Sequence, residues 1–168
     1  MSTLRSALPG LLVLAAVFAA WLLMRGGAVS EVHRPLPELP ISTLQGAPIV
    51  RSSFQGKPWV ISIWAPDCSS CIDQIPALVA AQADYQDKGV GFLAISVVTN
   101  KDAVRAAADR AHFTYAQSIT TDDLLGAVGA KTVPTTLFVS AEGEIIAMAE
   151  GAHPAEVYQT WAGKLLSP

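Results

Sequence analysis

Trp59-Val60-Ile61-Ser62-Ile63-Trp64-Ala65-Pro66-Asp67-Cys68-Ser69-Ser70-Cys71 is the stretch that decides the fold. Its first six residues are β-rich and nearly all apolar, as a strand buried on both faces should be. Its end carries both cysteines of the chain, spaced Cys-x-x-Cys, where the apolar run hands over to a helix. That helical stretch places Ile72, Ile75, Leu78, Val79 and Gln82 at helical spacing and stops at Lys88-Gly89. A second apolar run, Val90 to Val98, completes a strand, helix, strand unit. Such a unit implies a parallel pair joined by a right-handed crossover.

Downstream, Asn100 can cap a helix running to about Ala111, and Thr121 or Asp122 another ending at Gly129. Pro134 to Val139 reads as a strand, Glu142-Gly143-Glu144 as a tight turn, and Ile145 to Glu150 as the antiparallel partner. A last helix opens at Pro154, with Val157, Trp161 and Leu165 at i, i+4, i+8. The expectation is a three-layer α/β domain over residues 41–168 with a mixed central sheet.

Upstream, the seventeen residues from Leu8 to Met24 carry no charge, with Arg5 before them and Arg25 after. Seventeen is the short end of a membrane-spanning helix. A cleaved signal peptide is the rival, but the run exceeds the usual signal length and Arg25 stands where a small-residue cleavage site belongs. Residues 1–25 are therefore expected to be an uncleaved signal anchor, N-terminus inside, touching the lipid bilayer through residues 8–24. Gly26, Gly27, Pro35, Pro37 and Pro40 mark residues 26–40 as a tether, since no helix or central strand tolerates them together. Extended, it would reach about 50 Å. Residues 31–168 have nine Lys/Arg and fourteen Asp/Glu, a net −5, which argues against a nucleic-acid partner.

Two cysteines at this spacing suit a dithiol that opens and closes. Half of a zinc site would need two further ligands, and His33, His112 and His153 are scattered. A purely structural disulfide closing so small a loop would stabilise little. At a helix start, unsatisfied N–H groups and the dipole bear on Cys68 and favour its thiolate. Cys68 is thus the expected nucleophile and Cys71 the resolving thiol, with no cofactor beyond the redox-active pair itself. The Ser69 and Ser70 hydroxyls either donate to that thiolate or face water.

Trp64-Ala65 before the cysteine pair, Pro76 five residues after it, and Val133-Pro134-Thr135-Thr136 before the final hairpin together resemble the thioredoxin fold. The lead-in Ile41 to Ile49, then Phe54-Gln55-Gly56-Lys57-Pro58, resembles the extra N-terminal β-hairpin of the TlpA/ResA branch, and the likeness spans roughly residues 37–166. It implies a membrane-tethered thiol–disulfide oxidoreductase facing the bacterial periplasm or its Gram-positive equivalent. Members act as reductants of protein disulfides in cytochrome c maturation, copper-site assembly or protection from copper and oxidative stress, fed by a membrane thiol carrier of the DsbD type. The resemblance also implies a cis bond before Pro134, with Val133 pairing to a substrate strand and Trp64 near the substrate. A copper-binding or copper-delivery module using the same sulfurs is the alternative, against which the close Cys spacing counts.

Three departures from that pattern bear on tuning. Asp67 replaces the usual Trp before the first cysteine, and its charge opposes the neighbouring thiolate. Gln74 stands where many members have a carboxylate, and Ser62 where thioredoxins bury an Asp. Asp73 points about 100° away from Gln74 around the helix and is expected to be exposed. His153 and His112 are expected to be plain surface residues.

Overall fold

The structure, a computed structural model, describes residues 29–38, 40–120 and 123–167. The expected anchor, Leu8 to Met24 included, and residues 26–28 of the expected tether lie outside the described residues, as do Thr121 and Asp122. Among the described residues no helix is long and apolar enough to cross a membrane.

The strand read from Trp59–Trp64 is β4, the fourth of eight: β1 is Val29–Pro35, β2 Ile41–Thr43, β3 Pro48–Ile49, β5 Gly91–Ser96, β6 Ala116–Thr120, β7 Thr135–Val139 and β8 Glu144–Glu150. They form one mixed sheet in the order β1-β8-β7-β4-β5-β6-β2-β3. β4 lies parallel to β5 and antiparallel to β7. Among the described residues there are four α-helices, α1 (Ser69–Tyr85), α2 (Lys101–Arg110), the short α3 (Leu124–Ala127) and α4 (Ala155–Lys164), besides two single turns of 3-10 helix.

Side chains of a strand alternate between faces. On β4, Val60 and Trp64 join the core beneath α1, α2 and α4, whereas Ile61 and Ile63 join the core on the other face, with Leu124 and Val128. Ser62 falls on the α1 face between two apolar neighbours and is 2% exposed. The two successive crossovers, β4 to β5 through α1 and β5 to β6 through α2, advance in the same direction along the sheet, so right-handedness puts both helices on one face. Asn100 caps α2 by accepting from the Ala103 N–H, and β2 with β3 makes the expected hairpin.

Two expectations need correction. Residues 29–35 of the expected tether form β1, paired antiparallel with β8. Gly26 and Gly27 precede the strand, Pro37 and Pro40 follow it, and Pro35 sits at its end on the sheet edge, where a missing N–H costs no ladder bond. The buried stripe of α4 is Tyr158 and Ala162, while Val157, Trp161 and Leu165 are half-buried, one position round from the expected face.

Candidate active site

Cys68 ends the turn after β4 and is the N-cap residue of α1, and its sulfur accepts the Cys71 N–H at 3.2 Å. The Ser70 hydroxyl lies 3.4 Å from the same sulfur, whereas the exposed Ser69 does not reach it. One backbone N–H of the first turn and a hydroxyl thus converge on the Cys68 sulfur, the arrangement that stabilises a thiolate. Cys68 and Cys71 are closed as a disulfide with Cα atoms 5.2 Å apart. Cys68 is half-buried and Cys71 is 0% exposed.

The register of β7 against β4 brings the cis Val133–Pro134 bond to this end of the sheet. Thr135 pairs with Ile63, one residue from the end of β4, so the two preceding residues project to the level at which Cys68 caps α1. The Val133 N–H has no backbone partner among the described residues, while Pro134 is held by the Gly151 N–H donating to its carbonyl at 2.8 Å. Trp64 does not join them at the surface. It is 1% exposed and packs on Phe113 with ring centroids 4.8 Å apart, because its side chain falls on the inner face of β4. It supports the disulfide from behind and offers no face to a substrate.

Asp67 and Asp73 are exposed, and Gln74 is 2% exposed. The Gln74 carbonyl accepts from the Tyr158 hydroxyl at 2.8 Å, and that hydroxyl accepts from the His153 N–H at 3.0 Å. His153 is therefore not plain surface. It is 6% exposed, with Nε2 3.1 Å from the Glu150 carbonyl, because the chain folds inward before α4. Ser62, Thr136 and Tyr115 add three buried hydroxyls to this region that close no hydrogen bond of normal geometry. Burial pushes the Tyr158 and Tyr115 hydroxyls above the usual phenol range. Sequence spacing missed Tyr158 because its partner Gln74 lies on a helix 84 residues away, and it missed the burial of His153 because that follows from the same contact. The faint signal was a polar residue, Gln74, on an otherwise apolar helix face. Among the described residues there is no group of three or more His, Cys, Asp and Glu side chains that could hold a metal ion.

A half-buried sulfur capping a helix start, a buried partner one turn on and a cis-proline at the same sheet end are the features of a thioredoxin-like thiol–disulfide oxidoreductase. The comparisons agree. The redoxin family model matches residues 31–162, and the chain belongs to that family. Thiol-disulfide oxidoreductase ResA of Bacillus thuringiensis subsp. konkukian is 21% identical over 136 residues, covering 80% of this chain and 79% of that protein. Thioredoxin-like protein YneN of Bacillus subtilis is 25% identical over 142 residues, covering 80% and 83%. A solved thiol:disulfide interchange protein of the thioredoxin family from Chlorobium tepidum superposes with a TM-score of 0.69 at 22% identity, covering 82% of this chain and 99% of its own. The protein is TlpA/ResA-like in fold and a thiol–disulfide oxidoreductase in activity.

Proposed function

We propose that the domain reduces selected extracytoplasmic protein disulfides, with Cys68 attacking and Cys71 resolving. The observation that carries this order is the contrast at the site: first-turn donors meet the half-buried Cys68 sulfur, while Cys71 is sealed. The Cys68 thiolate attacks one sulfur of the substrate disulfide, whose other sulfur leaves as a thiolate and is protonated by solvent. Cys71, deprotonated, then attacks the Cys68 sulfur and expels the second substrate thiolate. Two electrons pass to the substrate, and the Cys68–Cys71 disulfide is the product. Its return to the dithiol draws two electrons from a membrane thiol carrier of the DsbD type. The Val133 backbone offers the substrate a strand to pair with, and Pro134 holds that backbone in place.

The anchor at residues 8–24 keeps the domain at the outer face of the bacterial inner membrane, in the periplasm. Carbonate extraction should leave the chain in the membrane fraction, and added protease should digest its domain. A soluble chain beginning near Ala28 would show cleavage instead. Cys68→Ser should abolish disulfide reduction and Cys71→Ser should accumulate covalent adducts. The trapped partners identify the process served, whether cytochrome c maturation, copper-site assembly or protection from copper and oxidative stress. Faster alkylation of Cys71 than of Cys68 would reverse the assignment.

A further inference from the structure

Gln74 occupies a position whose hydrogen-bond polarity the structure fixes. A backbone N–H only donates, so the His153 N–H makes the Tyr158 hydroxyl oxygen an acceptor. The hydroxyl has one hydrogen to give. Thr136 bears on Tyr158 in the sense of a donor, since it favours the anion, so that hydrogen goes to Gln74 at 2.8 Å. The Gln74 end facing Tyr158 is consequently the carbonyl oxygen, and its NH₂ is turned the other way.

One turn back along α1 stands Cys71. Helical side chains tilt back towards the N-terminus, so a residue covers the turn that precedes it. Gln74 follows Cys71 by three residues on the buried face that Cys71, Gln74, Ile75 and Leu78 share. We propose that, in the reduced protein, the Gln74 amide NH₂ donates a hydrogen bond to the Cys71 thiolate, and that Tyr158 is the positioning residue that fixes this end of the amide towards the sulfur. The proposal rests on Cys71 being the resolving thiol. A donor here favours the attacking anion directly, where a carboxylate would instead oppose it by like charge and act by taking up its proton.

Other titratable and charged groups border the pair. Asp67 and Asp73 lie on the exposed side, Tyr158 and His153 face it from α4 and the preceding loop, Tyr115 from the approach to β6, and Arg110 from a groove it shares with Pro66 and Ile72. Both tyrosines stay protonated across the neutral range. Each comparison is repeated in a His153→Gln background, which removes the imidazole beside Tyr158.

The Cys71 thiol is titrated by thiolate absorbance in a Cys68→Ser background, with no substrate present. Gln74→Leu should raise the titration midpoint by about 1 pH unit, roughly a tenfold loss of acidity. Gln74→Glu, nearly the same shape, should raise it further, and Tyr158→Phe should give a smaller rise because the amide is then free to turn over. In the intact dithiol protein the same variants should slow release of a peptide mixed disulfide at neutral pH and match the parent rate at pH values where Cys71 is fully ionised. A purely structural role would slow release at every pH. An unchanged or lowered midpoint in folded Gln74→Glu overturns the proposal. Failure of the parent protein to reduce any disulfide would instead overturn the functional reading, since the titration needs no catalysis.

Discussion

Asp67 sets a carboxylate one residue before the sulfur that the first turn of α1 is built to charge. At an effective dielectric near 20 and a separation of about 6–8 Å the repulsion is roughly 2–3 kcal/mol, and exposure cuts it to about 1 kcal/mol or less. Asp67→Asn should accordingly lower the Cys68 titration midpoint by up to about 0.7 pH unit, read from alkylation rate against pH. A raised midpoint would mean the carboxylate serves Cys68 in some other way. A different residue-scale feature is His112, the residue after the α2 cap, held at φ 56°. The Phe113 N–H reaches back to the Ala108 carbonyl, so the left-handed turn is the end of a helix where glycine is the usual occupant. His112→Gly should stabilise the fold by about 0.5–1 kcal/mol, measured by urea midpoint. Loss of stability would show that the imidazole makes a contact worth more than the strain.

Elements whose determinants are local were legible in the sequence. β4, α1 and their junction follow from six apolar residues, a helical stripe and two cysteines, and Asn100 announces α2 as a cap does. β1 was not legible, because an edge strand needs only alternate half-buried positions, here Val29, Val32 and Arg34, and its flanking Gly and Pro residues drowned them. The polar contacts of Gln74 were hidden for a related reason, since Tyr158 reaches it from the far end of the chain. Strand β5 carries a constraint of its own. Gly91 pairs with Trp59, and a Cβ added at Gly91 would lie 2.4 Å from the indole ring. The ring occupies the space a side chain would need, so Gly91→Ala should cost about 1–3 kcal/mol, seen as a lower melting temperature. Wild-type stability in that variant would mean that Trp59 swings aside freely.

At the scale of the molecule, Tyr115 and Tyr158 bury their rings in the core between the helices and the sheet. Both titrate above the ordinary phenol value because burial disfavours the anion. A group raised in the folded state contributes stability that is complete below the unfolded value, about pH 10, and is lost as pH climbs towards the folded one. Urea midpoints should therefore hold steady to about pH 10 and then fall, and Tyr115→Phe should flatten that fall. An equally steep decline in the variant would place the alkaline sensitivity elsewhere.

The pairing of β1 with β8 also decides how the molecule behaves towards copies of itself. β8 is seven residues long and carries Ile145, Ala147 and Ala149, all 0% exposed under the present cover. β1 occupies its free ladder with a strand whose own outer side shows Ser30, Glu31 and His33 and ends in Pro35, a rim that does not invite another strand. Arg34 fastens it further by donating to the Val128 carbonyl at the end of α3. A chain shortened to begin after Pro35 would lay open a sticky apolar rim, and it should associate through edge-to-edge strand addition and precipitate where the longer form remains dispersed.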